Sequence, residues 1–248
     1  MKISIITITY NSAKTLQRAL DSVQTQTYKD IEHILVDGAS TDGTLDIIRA
    51  YAAAHDNVRF ISEPDKGIYN AINKGLRMAT GDVIGFLHSD DVFYGADSIE
   101  LVHQAFVVAH ADVTYADLQY CRGEKVIRRW VSNAFDPESL KYGWMPPHPT
   151  VYCRREVYER VGAYDENLRI SADYDMILRI FNAGYRLYYI PEILVNMQLG
   201  GASNRDFLAR MAKTQEDYKV LRKNNIGAGM LTVGCKQLRK IRQFTRKE

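Results

Sequence analysis

The chain is poor in the features that staple, anchor or signal. Its three cysteines, Cys121, Cys153 and Cys235, are odd in number, far apart and without metal-ligand pairing, which argues against a disulfide framework and predicts a reducing compartment. No apolar run approaches the ~20 residues of a membrane span. The N-terminus enters a strand at once, with no charged, apolar and small-residue signal pattern, so the expected location is the cytoplasm. The first apolar run is not followed by GxGxxG, which counts against a dinucleotide-dependent dehydrogenase, and no GxxxxGKS/T loop occurs, which removes the ordinary phosphate-loop NTPase. Internal repeats and low-complexity linkers are absent too, so one domain with a modified second half is the economical reading.

What is present suits a globular α/β protein. At 248 residues, 46% hydrophobic and 25% charged, the chain can bury a core without staples. The net charge is only +2, but from Lys219 onward Lys219, Arg222, Lys223, Lys236, Arg239, Lys240, Arg242, Arg246 and Lys247 face a single acid, Glu248. Two readings of this tail stay open: a solvated helix face, or a surface that makes peripheral contact with anionic membrane lipid. No nucleic-acid partner is expected, since no interleaved aromatics or known reading module accompany the charges.

The stretch around which the chain is organised is Gly81 to Asp91, GDVIGFLHSDD. Its apolar run, Val83 to Leu87, reads as a buried strand that ends in His88, Ser89, Asp90 and Asp91. Acids placed just after a core strand lie where open parallel sheets bind ligands, and hard divalent cations take such oxygen donors. Alternatively, Asp90 or Asp91 caps a following helix. Earlier strands are expected at Ile3 to Thr9, Ile31 to Val36 and Val58 to Ile61, with helices after each. Each ends in a polar cluster: Thr9-Tyr10-Asn11, Asp37-Gly38, and Glu63 to Gly67. In a parallel sheet all these clusters open on one edge.

Beyond Leu118 the alternation changes. Arg122-Gly123-Glu124 predicts a hairpin, the prolines in Trp144 to Pro149 exclude a regular helix, and a strand is expected from Tyr185 to Ile190. Further helices are expected at Asp173 to Asn182, Phe207 to Arg222 and after Gly229.

As an ordered set, SIITITYN, VDGASTDGT, EPDKGIYNAINKG, GDVIGFLHSDD and SADYDMILR resemble the family 2 glycosyltransferases, inverting enzymes of the GT-A fold that use nucleotide-sugar donors. The similarity is greatest to the branch that builds bacterial surface polysaccharides and lipid-linked oligosaccharides. It implies a Rossmann-like, mostly parallel central sheet flanked by helices, with a nucleotide-binding half at about 1–118, an acceptor-side half at about 119–205, and a helical basic extension at 206–248. It further implies a hexosyl- or N-acetylhexosaminyl-type transfer from a nucleotide sugar, usually a UDP-sugar, to a saccharide or lipid-linked saccharide. The implied cofactor is Mn2+ or Mg2+.

Residue by residue, the resemblance implies that Asp37 holds the donor base with Thr9 and Asn11 lining its pocket, and that Lys66, Gly67, Asn73 and Ser89 lie near the donor phosphates and sugar. Asp90 matches the last carboxylate of the DxD motif, and His88 stands where relatives carry Asp or Asn. Asp91 either assists the metal or caps a helix. Asp173 matches the final acid of the family's ED pair, with Ala172 in the first position. Inversion needs a carboxylate to accept the acceptor's hydroxyl proton, and Asp173 is the candidate, against the alternative that it only favours a helix dipole. Asp175 is expected to buttress the loop. His148, between prolines, is either an acceptor-side residue or a structural histidine. Leu199 to Ser203 either resembles a mobile loop that closes over the donor or is a plain turn. Two rival functions remain at this point: a sugar-1-phosphate nucleotidyltransferase, against which TYNSAKT is not a glycine-rich basic loop, and a non-catalytic nucleotide-sugar-binding subunit.

Overall fold

The computed structural model describes residues 1–199 and 207–242. The β-branched run of β1 (Ile3–Thr9) forms a fully buried strand at the centre of a parallel array, flanked by β2 (Ile31–Asp37) and β4 (Val83–Phe86), with β3 (Val58–Ser62) outside β2. Three helices connect these strands: α1 (Leu16–Gln24), α2 (Thr44–Ala54) and α3 (Ile68–Met78). In α1 the apolar residues recur at helical spacing, and Leu16, Ala19, Leu20 and Val23 are the ones buried.

After β4 the sheet becomes mixed. The chain forms the short β5 (Val92–Phe93), α4 (Ser98–Val108), the long β6 (Val113–Arg122) and its hairpin partner β7 (Lys125–Trp130). Next come β8 (Tyr152–Arg154), α5 (Arg155–Val161), α6 (Ala172–Phe181), β9 (Leu187–Gln198), α7 (Phe207–Lys223) and α8 (Met230–Arg242). The strand order is β3-β2-β1-β4-β8-β6-β9-β5, with β7 on β6. Strand β8 is antiparallel to both β4 and β6, so it joins the parallel half to the second half.

Three details differ from the sequence reading. The segment after Asp91 is a strand, and α4 begins only at Ser98 behind Asp97, so neither Asp90 nor Asp91 caps a helix. Strand β9 does not stop before Pro191: the pairing steps from Ala116↔Ile190 to Asp117↔Ile193, so the proline lies in a bulge where no ladder N–H is needed. The proline-rich segment is not entirely extended either, because His148–Thr150 makes one 3-10 turn after an extended Pro147.

One face of the sheet is covered by α3, α5, α6 and the α7–α8 pair, the other by α1, α2 and α4. Val220 and Leu221 of α7 and Val233 of α8 belong to the same core as Ile6, Phe86 and Ile177, so both C-terminal helices are part of the body that carries the site. The 205/206 division and the glycines expected to hinge a loop, Gly200 and Gly201, lie outside the described residues.

Candidate active site

The carboxyl ends of β1, β2, β3 and β4 open on one edge, and hydrogen bonds stitch their loops together. Thr9 and Asp37 are register partners, as are Asp37 and Ser62. The Asp37 side chain is fully buried and accepts from the Ser40 backbone N–H at 3.1 Å, the Ser40 hydroxyl at 2.5 Å and the Ser62 hydroxyl at 2.7 Å. Asn11, in the left-handed region at φ 49°, accepts from Thr41 N–H and donates its own backbone N–H to Ser40. The Ser12 and Ser89 hydroxyls lie 3.0 Å apart and tie the β1 loop to the β4 loop. Thr9 is 5% exposed and its buried hydroxyl, at the end of β1, has no hydrogen-bond partner.

Gly67, at φ +128°, starts α3 in a conformation that side chains rarely adopt, and Lys66 beside it is exposed. Asn73 is turned to a different partner. Its amide donates to Tyr164 O and Glu166, and its carbonyl accepts from Tyr164 N–H, so both amide hydrogens fasten α3 to the loop before α6.

The turn His88-Ser89-Asp90-Asp91 is closed by the Asp91 N–H donating to His88 O at 3.0 Å. Asp90 is half-buried. Asp91 is fully buried; its Oδ1 accepts from the Gln198 N–H of β9 and its Oδ2 has no partner. Burial, and then the neighbouring Asp90 charge, push the Asp91 carboxyl well above the usual range.

Among the described residues, no group of three or more His, Cys, Asp and Glu side chains could hold a metal ion unaided. The Asp90-Asp91 pair nevertheless fits a hard divalent cation. Magnesium-type ions are commonly held by one or two carboxylates with phosphate oxygens and water completing the shell, and the orphaned Asp91 Oδ2 is an acceptor that such a cation would satisfy.

Asp173 stands in the first turn of α6, half-buried, and Tyr69 donates to its Oδ1 at 3.4 Å. Tyr69 stacks on Tyr164 at 6.1 Å, Tyr164 bonds His148 Nε2 through its hydroxyl at 2.7 Å, and His148 stacks on His88 at 6.1 Å. A continuous aromatic wall therefore joins the β4 turn to Asp173. Burial lowers the His88 pKa, opposed by the charges of both Asp90 and Asp173, so the two carboxylates act on one imidazole. His148 is 8% exposed, and burial drives its pKa down to about 4, with the Asp173 charge opposing and His88 adding. It is a neutral wall residue held by Phe86 and Tyr164.

Asp175 is fully buried and bonds Arg179, Lys223 and Asn224, which fixes α6 to the end of α7 as the expected buttress. Glu216 of α7 accepts the backbone N–H groups of Arg169, Ile170 and Ser171, while Asp217 accepts from the Ser171 hydroxyl and pairs with Lys236. The start of the Asp173 helix is thus set from α7, a role that no motif in the sequence announces. Tyr120 and Arg128 of the β6–β7 hairpin also approach: Arg128 lies 3.8 Å over the Tyr120 ring, and after burial and Arg128, the charges of Asp91 and Asp173 act on the Tyr120 hydroxyl. The cross-strand register Tyr120↔Arg128 was within reach of the hairpin reading, but its proximity to the acids was not.

A family model described as Glycosyl transferase family 2 matches residues 4–168. The PGL/p-HBAD biosynthesis glycosyltransferase of Mycobacterium tuberculosis (strain ATCC 25177 / H37Ra) is 35% identical over 219 residues, which are 84% of this chain and 83% of that protein. An uncharacterized glycosyltransferase of Nostoc sp. is 32% identical over 231 residues, 87% of this chain and 70% of that one. In fold, the chain is similar to S. aureus TarS 1-349 in complex with UDP-GlcNAc, with a TM-score of 0.74 at 20% identity, covering 100% of this chain and 74% of TarS 1-349. It is also similar to the mannosyltransferase PcManGT from Pyrobaculum calidifontis in complex with GDP-Man and Mn2+, at TM-score 0.70 and 21% identity, covering 94% and 69%. The mixed α/β sheet with its flanking helices is the GT-A fold, and with two-thirds of its length inside the family match this chain belongs to glycosyl transferase family 2.

Proposed function

We propose that the protein is an inverting glycosyltransferase that moves a hexosyl or N-acetylhexosaminyl group from a nucleotide sugar, a UDP-sugar, to a saccharide or lipid-linked saccharide. The observation that carries this reading is the chain of side-chain contacts, Asp173 to Tyr69 to Tyr164 to His148 to His88, that brings Asp173 to the same cleft as the turn holding Asp90, far apart in sequence. A carboxylate at the donor-side turn and a second across an aromatic wall are what single displacement needs. The fold relatives solved with UDP-GlcNAc and with GDP-Man support a nucleotide-sugar donor.

In this reading Asp37, Thr9 and Asn11 hold the nucleoside, with the free Thr9 hydroxyl facing the base pocket, and Lys66, Gly67 and Ser89 border the diphosphate and sugar. Asp90 and Asp91 would hold Mn2+ or Mg2+, which when bound supplies Lewis-acid neutralisation of the leaving diphosphate. Asp173 accepts the proton of the acceptor hydroxyl as its oxygen bonds to the anomeric carbon from the face opposite the breaking bond to the diphosphate. His148 and Tyr164 shape the wall between the two carboxylates and keep water from it.

A thermal-shift panel of UDP-, GDP- and dTDP-sugars with and without Mn2+ tests the donor and cation together, since a ligand that binds only the folded state raises Tm by mass action. A Mn2+-dependent shift with a UDP-sugar is expected. Equal shifts with and without the cation overturn the metal assignment, and binding without any transfer to saccharide acceptors favours a non-catalytic subunit.

A further inference from the structure

The α7–α8 pair ends in a helix that is apolar on the wrong side for a globular core. On α8, Thr232, Val233 and Lys236 are buried, yet Met230, Leu231 and Leu238 are 60%, 69% and 64% exposed. With Gly234, also exposed and with nothing within 4 Å of the position its Cβ would take, they span about 100° of the helix circumference. This stripe is opposite the packed face, so it does not serve the core. Exposed Arg239 borders it on α8, and Lys219 and Arg222 are exposed on the antiparallel α7. From Lys219 onward the sequence holds nine basic residues against one acid.

We propose that this outward face of α8 docks in the plane of an anionic lipid bilayer, with the Met and Leu side chains in the acyl boundary and the basic residues at the headgroups. The charge selects lipid over an ordinary apolar protein partner, because the exposed charged side chains of α7 and α8 among the described residues, Lys219, Arg222, Lys223 and Arg239, are all basic, which is complementary to an anionic surface. With 13 residues α8 is far too short to cross a bilayer, and no helix among the described residues is long and apolar enough to do so, so lying flat is the geometry left to it. The buried side of α8 reaches the start of the Asp173 helix through Lys236, Asp217 and Ser171. A docked bilayer therefore lies behind the half of the molecule that carries Asp173. That orientation rests on Asp173 being the base, but the docking does not.

The test is co-sedimentation of the whole chain with vesicles of phosphatidylcholine alone and of phosphatidylcholine with about 30–40% phosphatidylglycerol, an anionic surface of the kind that attracts basic segments, for the parent and for L231S/L238S. Both leucines are exposed, so the variant keeps its fold, which equal Tm and circular dichroism check. Expected are binding to the anionic vesicles only, weakening with salt, and a loss of at least about tenfold in partition for the variant, as apolar burial contributes alongside charge. Equal partition of parent and variant, or equal binding to neutral vesicles, overturns the proposal. So does a parent that sediments as a dimer, becomes monomeric in the variant and ignores vesicles, since the stripe would then be a contact between copies of this chain.

Discussion

Gly85 and Tyr152 face each other across the β4–β8 junction so closely that a Cβ on residue 85 would lie 2.1 Å from the Tyr152 ring. Tyr152 is fully buried and cannot swing away into solvent. Gly85→Ala is therefore expected to destabilise the fold by about 1–3 kcal/mol or more through overpacking. Urea denaturation measures this, and adding Tyr152→Leu should recover part of the loss because the two sites share one volume. Additive effects would show that the strand shifts instead.

Asp173→Asn should separate binding from chemistry. The amide keeps the shape of the side chain but does not take up the acceptor's proton, so donor affinity by calorimetry stays near the parent while single-turnover transfer falls ~10²–10⁴-fold. An unchanged rate would leave Asp173 as a first-turn acid of α6 and nothing more.

Asp90 and Asp91 should respond differently to the same change. Asp90→Asn is expected to abolish cation-dependent donor binding with little effect on Tm, because its side chain is only half-buried in a surface turn. Asp91→Asn keeps an acceptor for the Gln198 N–H while removing a buried carboxyl whose charged form is disfavoured. Its Tm without metal should equal or exceed the parent's at neutral pH while transfer falls. Loss of Tm in Asp91→Asn would mean that the carboxylate stabilises the turn without a cation.

A buried histidine outside the site predicts acid sensitivity. His33 is fully buried between the Thr7 and Tyr51 hydroxyls, each 3.0 Å away, and burial, with the His55 charge as a smaller cause, pushes its pKa down to about 3. Between pH 6.5 and about 3 the unfolded chain binds a proton that the folded chain refuses, so stability falls as pH falls through that window, at up to ~1.36 kcal/mol per pH unit. Comparing urea midpoints of the parent and His33→Asn between pH 6.5 and 4.5 isolates the effect: the variant should lose less stability on acidification. Parallel slopes would show that His33 does not carry the dependence.

The parallel half of the fold was legible because its signals are local. Apolar runs such as Ile3 to Thr9 end in turn-forming polar residues, and the helices between them carry apolar residues at regular spacing. The same locality placed Asp37 and Asp90 at strand ends, whereas Asp173 was singled out only by the family resemblance. What escaped depends on contacts between distant segments. The two residues of β5 have no periodicity and exist because Val92 and Phe93 pair with β9. Strand β9 passes Pro191 only because β6 offers a bulge in which to place it. Asn73 stands in a donor-side motif, yet its amide fastens Tyr164, about which the sequence says nothing. Tyr164 and Tyr120 enter the site through rings and register, and Glu216 and Asp217 through the backbone of residues more than forty positions earlier.

That last arrangement imposes an order in time on a chain made from its N-terminus. Strands β1 to β4 and their loops can close as soon as β4 has paired with β1, but the start of α6 waits for Glu216 and Asp217. The 46 positions separating Ser171 from Asp217 take roughly 2–9 s to synthesise at ~5–20 residues per second. During that interval the start of α6, and Asp173 with it, lacks the two acids that hold its backbone and its Ser171 hydroxyl. If the proposed function holds, a product truncated before α7 is expected to bind donor without transferring its sugar, which makes α7 the element that completes the site.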